Sequence, residues 1–172
     1  VLWIFVEATT LAVAVLIYHD RTEIALEATW KYIFICSTGI ALAYLGILFL
    51  GFIYGTGEAP NLSFSSFSLV IAGADPLYLK IAFVFVVVGF STKMGLFPMH
   101  TVTIDAHSVA PPPVSALIST ALMNVGFLAI FRIYTLFSTT SILPFMNHVL
   151  VLAGVMSLLI AAGYMLKAKH LK

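Results

Sequence analysis

Charge is scarce in this sequence. Asp, Glu, Lys and Arg together make up 9% of its 172 residues and hydrophobic residues 62%, where a soluble globular domain carries about 25% charged and about 45–50% apolar residues. With a mean hydropathy of +1.11, water is the wrong solvent for it. A net charge of +1 supplies no long-range field for nucleic acid, and no Lys/Arg cluster is interleaved with aromatics as a nucleic-acid surface requires. The single cysteine, Cys36, excludes a disulfide within the chain and argues against a cysteine metal site; inside an apolar run it reads as a small buried hydrophobe. There is no basic segment ahead of a cleavage site, so no signal peptide is read. The apolar pattern is already running at Val1, and the chain reads as part of a longer polypeptide. No nucleophile elbow, phosphate loop or dinucleotide fingerprint occurs. Nothing is suited to hold a flavin, haem or iron–sulfur cluster. Neither a catalytic site nor a cofactor is expected.

What is present is length in apolar runs. Crossing about 30 Å of hydrocarbon takes about 20 residues of helix, and five segments qualify: Val1 to about Tyr18, Trp30 to Tyr54, Pro76 to Phe97, Pro113 to Leu136, and Pro144 to Leu166. The expected fold is an all-α membrane domain of five transmembrane helices occupying residues 1–172, bounded by the lipid bilayer. A charged link holding His19, Asp20, Arg21, Glu23 and Glu27 joins the first two spans, and the serine-rich stretch Gly55 to Asp75 reads as a loop or a short interfacial helix. Lys167, Lys169, Lys172, Arg21 and Lys31 gather at one face, with Lys80 and Arg132 near the other. The excess of positive charge places the C-terminus and the link Pro98 to Pro112 on the cytoplasmic side.

Two residues are out of place in a bilayer. Glu7 falls close to the midplane of the first span, where an ionised group costs about 2.5–3.5 kcal/mol even on lenient scales; such residues usually face a bundle interior or a hydrated cavity. Lys93 follows the apolar run Ile81 to Phe90 and precedes Gly95 and Pro98. Pro98 cannot donate to the carbonyl of Met94 and Gly95 weakens the turn between, so the third span is expected to break between Thr92 and Pro98. Freed carbonyls in a membrane require protein or water, and an ammonium beside them has a partner and a hydration-dependent charge. The alternatives are a protonated Glu7 bonded to a neighbouring helix and a Lys93 snorkelling to the interface.

Lys80 lies on the opposite helical face from Lys93 and reads as an interface anchor. In the fourth span Thr120 and Asn124, and likewise Ser115 and Ser119, are spaced to share a face. The serines fit packing, and Asn124 fits a chain of waters. His100, Asp105 and His107 after the break match no helical ligand pair, so proton uptake is favoured over a metal site.

The stretch GFSTKMGLFPMHTVTIDAHSVAPPPVSALISTALMNVGFLAIFRIY, residues 89–134, resembles the central signature of the antiporter-like subunits of respiratory complex I, group 4 membrane-bound hydrogenases and Mrp-type antiporters. The runs Val6-Glu7-Ala8-Thr9-Thr10 and Leu26-Glu27-Ala28-Thr29-Trp30-Lys31-Tyr32 look most like the hydrogenase-4 and formate hydrogenlyase branch. The resemblance implies helices five to nine of a longer inverted-repeat subunit in the inner membrane of a prokaryote. It assigns Glu7 and Lys93 to an essential glutamate and lysine. It puts Asn124 where some members carry a lysine, a departure, and Val102-Thr103-Ile104 where many carry Trp-Leu-Pro.

The function it implies is proton translocation through a half-channel of Glu7, Lys93, Asn124, His100, Asp105 and His107. In that relay an ion pair between Glu7 and Lys93 would open and close, coupled by about 4 kcal/mol if the two meet at about 4 Å and abandoned as a pair beyond about 12 Å. Other membrane subunits of a redox-driven complex would be partners. The rivals are a sodium/proton antiporter subunit and a structural scaffold that does not pump.

Overall fold

The computed structural model describes residues 2–53 and 71–167. They form α1 (Leu2–Ile17), α2 (Glu23–Ile53), α3 (Pro76–Met94), α4 (Thr101–Val109), α5 (Pro112–Phe137) and α6 (Leu143–Lys167), with no strand among the described residues. All but α4 are long and apolar enough to cross a membrane, so this is an all-α, multi-pass arrangement of five candidate spans. Most of the stretch expected as a loop between the second and third spans lies outside the described residues. At its end are a 3-10 turn, Ile71–Gly73, and Asp75, whose side chain accepts a hydrogen bond from Leu77 N–H at the start of α3.

The second span differs from its expected start. The charged link shrinks to a 3-10 turn, Tyr18–Asp20, followed by a left-handed Arg21. Thr22 then caps α2 by accepting from Ala25 N–H at 3.1 Å. The cap and the Glu27–Lys31 ion pair at 2.7 Å, one helical turn apart, carry the helix back through residues whose polarity suggested a loop. At 31 residues and 1.5 Å per residue, α2 runs to about 46 Å and outreaches the hydrocarbon layer.

α3 is the centre of the bundle, buried along Leu79, Ala82, Phe83, Val86, Val87 and Phe90. Hydrocarbon solvent gives apolar side chains little reason to leave it, so membrane helices associate through close backbone approach. α2 and α3 achieve this with glycine. A Cβ placed on Gly89 would stand 2.5 Å from the Gly39 carbonyl, and one on Gly46 2.8 Å from that of Ala82. Trp3 adds a tie from α1, donating its indole N–H to the Ile40 carbonyl at 2.9 Å.

The third span breaks where expected. α3 ends at Met94, and Gly95 takes φ +66°, a left-handed conformation that lets Gly95 N–H and Leu96 N–H both reach the Ser91 carbonyl. The link that follows carries a helix of its own. Thr101–Val109 is helical, because Val102, Ala106 and Ala110 recur every fourth residue and bury together against α1 and α2. α5 contains a π-helical turn, Ile118–Leu122.

A buried polar chain beside the helix break

Glu7 and Lys93 lie on α1 and α3 at the same level of the bundle, and both turn inward. Lys93 is 3% exposed. Its ammonium does not snorkel and does not bind the carbonyls at the break. Instead it donates to the hydroxyl of Thr10, which is wholly buried, and sits over the ring of Tyr32 at 5.2 Å from the centroid. An aromatic face supplies a partial negative charge to a desolvated cation.

Thr10 stands one turn beyond Glu7 on α1. Its hydroxyl is 3.5 Å from Glu7 Oε2 and 3.1 Å from the Val6 carbonyl. The other carboxylate oxygen, Oε1, accepts from the Ser37 hydroxyl of α2 at 2.6 Å. The result is a continuous chain, Ser37 to Glu7 to Thr10 to Lys93, across three helices. The direct contact expected between Glu7 and Lys93 is absent, since the two form no ion pair within 4.0 Å. One hydroxyl separates them.

That separation changes the energetics. Two hydrogen bonds end to end span about 6 Å, where opposite charges attract by about 3 kcal/mol at an effective dielectric of 20, against about 4 kcal/mol at direct contact. Coupling survives, and a group able to both accept and donate a proton is now interposed. Sequence reasoning missed Thr10, Ser37 and Tyr32 as members of this group. The signal for Thr10 was its spacing of three from Glu7, which places both on one face of α1.

The break sits immediately below Lys93. Phe97 N–H, freed by the end of α3, donates to Ser157 Oγ of α6 at 2.9 Å. A cavity of about 290 Å³ opens here, lined by Gly95, His100, Thr103, Ser157 and Tyr164 among others. His100 packs between Phe97 and Tyr164, and its Nδ1 is buried without a hydrogen-bond partner.

Asp105 and His107 take other directions. Asp105 lies 3.7 Å from Lys31 at the start of α2, and His107 Nε2 is 3.5 Å from Ser119 Oγ. Burial pushes His107 below the ordinary histidine value.

Asn124 does not join the chain. The face of α5 turned to Lys93 is that of Gly126, where a Cβ would come 3.1 Å from Lys93 Cβ. Asn124, two residues earlier, lies on the far side and is exposed. Of the small polar residues of α5, Thr120 bonds the Ala116 carbonyl of its own helix at 2.7 Å, and Ser115 Oγ is buried without a partner. Lys80 faces away from Lys93, over the Phe145 ring of α6 at 5.5 Å.

The family described as NADH:quinone oxidoreductase/Mrp antiporter, TM, matches residues 1–172. A hydrogenase-4 component F homolog of Methylacidiphilum infernorum (isolate V4) is 36% identical over 176 residues, covering 99% of this chain and 37% of that protein. NADH-quinone oxidoreductase subunit N of Leptospira interrogans is 31% identical over 134 residues, 77% of this chain and 26% of the relative. Hydrogenase-4 component B of Escherichia coli (strain K12) is 29% identical over 155 residues, 90% of this chain and 22% of the relative. The chain thus spans 37% or less of the length of each of these relatives. With the match running over every residue, the chain belongs to the transmembrane family of NADH:quinone oxidoreductase and Mrp antiporter subunits.

Proposed function

We propose that this chain carries the proton-relay portion of a membrane subunit in a redox-driven complex, and that Thr10 is the link through which Glu7 and Lys93 exchange a proton. The observation that carries this reading is the chain of Glu7, Thr10 and Lys93, in which a buried ammonium and a buried hydroxyl meet a half-buried carboxylate inside a membrane bundle. In the exchange, the Lys93 ammonium gives a proton to the Thr10 oxygen as the Thr10 hydroxyl gives its own to a Glu7 carboxylate oxygen. The products are a neutral amine and a neutral carboxylic acid, and rotation of the hydroxyl resets the link. Protons reach Lys93 through the cavity at the break, with His100 at its wall and His107 and Asp105 at the same end of the bundle. This end is cytoplasmic by the positive-inside rule. Asn124 stands outside this local exchange, on the far face of α5.

Redox energy comes from other subunits, and the relative named hydrogenase-4 component F homolog supports a hydrogenase-type complex as the setting. The test is Glu7→Gln in the complete protein, which keeps size and removes the titratable charge. In sodium-free vesicles the variant complex should assemble normally and lose most coupled proton transport. Wild-type transport by this variant would remove Glu7 from the relay, and transport that requires sodium would transfer the chemistry to that ion.

A further inference from the structure

On the side of α3 away from Lys93, α2, α3 and α6 enclose an open groove of about 340 Å³. Its walls are Leu42 from α2, Ile81, Val84, Phe85 and Val88 from α3, and Phe145 from α6, with Lys80 at one end. We propose that this groove binds an anionic phospholipid, with one acyl chain lying along α3 and the headgroup phosphate on Lys80.

Three observations favour a lipid over a further helix. The first is wall composition. Where α2 packs on α3 it does so over Gly39, Gly46 and Gly89, with backbones in contact, and α5 meets α3 over Gly126. The groove has no glycine, alanine or hydroxyl residue along it, only bulky side chains of the kind that suit hydrocarbon. Phe85 is further fixed by stacking on Phe49, with centroids 5.8 Å apart.

The second is the placement of charge. Lys80 is in the first turns of α3, which begins at Pro76. Exposed Leu77 and Tyr78 flank it, as at a membrane interface. Its ammonium has no carboxylate partner among the described residues and rests over Phe145. The neighbouring Asp75 turns one oxygen to Leu77 N–H instead. The third is length. From Lys80 to Val88 the groove descends about 12 Å at 1.5 Å per residue, which is from headgroup level toward the bilayer centre. The volume stands at the low end of the about 300–1,000 Å³ range of ligand sites, enough for a chain segment.

The experiment is native mass spectrometry of the complete complex, titrated with dioleoylphosphatidylglycerol, with dioleoylphosphatidylcholine and inorganic phosphate as separate arms. Only assembled particles are scored, so a misfolded variant does not enter the comparison. Phosphatidylglycerol adducts should exceed phosphatidylcholine adducts, inorganic phosphate should not compete, and both Lys80→Gln and Val84→Trp should lower phosphatidylglycerol occupancy at least fivefold. Occupancy retained by either variant overturns the proposal, Lys80→Gln by removing the headgroup contact and Val84→Trp by removing the acyl-chain contact. Competition by inorganic phosphate would reduce the site to a phosphate-binding lysine. A photocrosslinking residue in place of Val84 that captures polypeptide rather than lipid would assign the groove to a helix.

Discussion

A hydroxyl between two charges is the feature on which the site turns. Neither Glu7 nor Lys93 is unusual in a membrane once paired, but the hydrogen bonds place the pair at one remove, with the Thr10 hydroxyl touching both. Both charged residues were legible in the sequence because a charge in an apolar run is expensive. Thr10 was not, because a threonine in a membrane helix usually bonds its own backbone, as Thr10 also does to the Val6 carbonyl. His107 gives a separate prediction at this scale. Burial holds it below the ordinary histidine value, so between that depressed value and about 6.5 the unfolded chain binds more protons than the folded one. Its contribution to stability is complete above about pH 6.5 and lost as pH falls toward the depressed value. Thermal unfolding of the detergent-solubilised protein should therefore show a loss of Tm from pH 7.5 to 5.5 that is smaller in His107→Gln. An equal loss in both proteins would remove His107 as its source.

Among the elements, the break after α3 governs the geometry. It was legible because glycine and proline act against a helix for known reasons, whereas its closure was not. The Schellman-like bonds to the Ser91 carbonyl come from a local conformation, and the Ser157 contact comes from a helix 60 residues away. α4 was missed because polar residues dominate the stretch, although its buried Val102, Ala106 and Ala110 mark one face at helical spacing. Asn124 drew attention by its residue type, while the residues on either side, Leu122 and Gly126, define the inward face of this bundle. Gly95 is the residue the break cannot lose. Alanine there meets a left-handed conformation that costs about 1–2 kcal/mol, and its Cβ would come 2.6 Å from Thr103 Oγ1. Gly95→Ala should lower the Tm of the solubilised protein, and adding Thr103→Ala should recover part of the loss but not all. Full recovery would show that crowding alone matters, and no loss in Gly95→Ala would show that the left-handed cap is dispensable.

At the scale of the whole molecule, the described bundle divides into a polar axis that is buried at Thr10 and Lys93, a cavity at one end and an apolar exterior. Glycine contacts lock α2 to α3, so the helices bearing Ser37 and Lys93 are held at fixed separation while α1 presents Glu7 and Thr10 between them. Number of spans and their approximate ends were readable from hydropathy, since length and apolarity decide them. Which side chains meet across helices depends on rotation about each axis, which composition does not specify. The account stands on a chain of contacts that one methyl group can interrupt. Thr10→Val keeps the shape of the side chain and removes the hydroxyl, leaving Lys93 without its acceptor and Glu7 without its link; Thr10→Ser restores the hydroxyl. In the complete complex, at matched redox turnover, Thr10→Val should reduce proton translocation at least tenfold, about 1.4 kcal/mol in the rate-limiting step, and Thr10→Ser should keep most of it. Wild-type proton stoichiometry in an assembled Thr10→Val complex would contradict the relay.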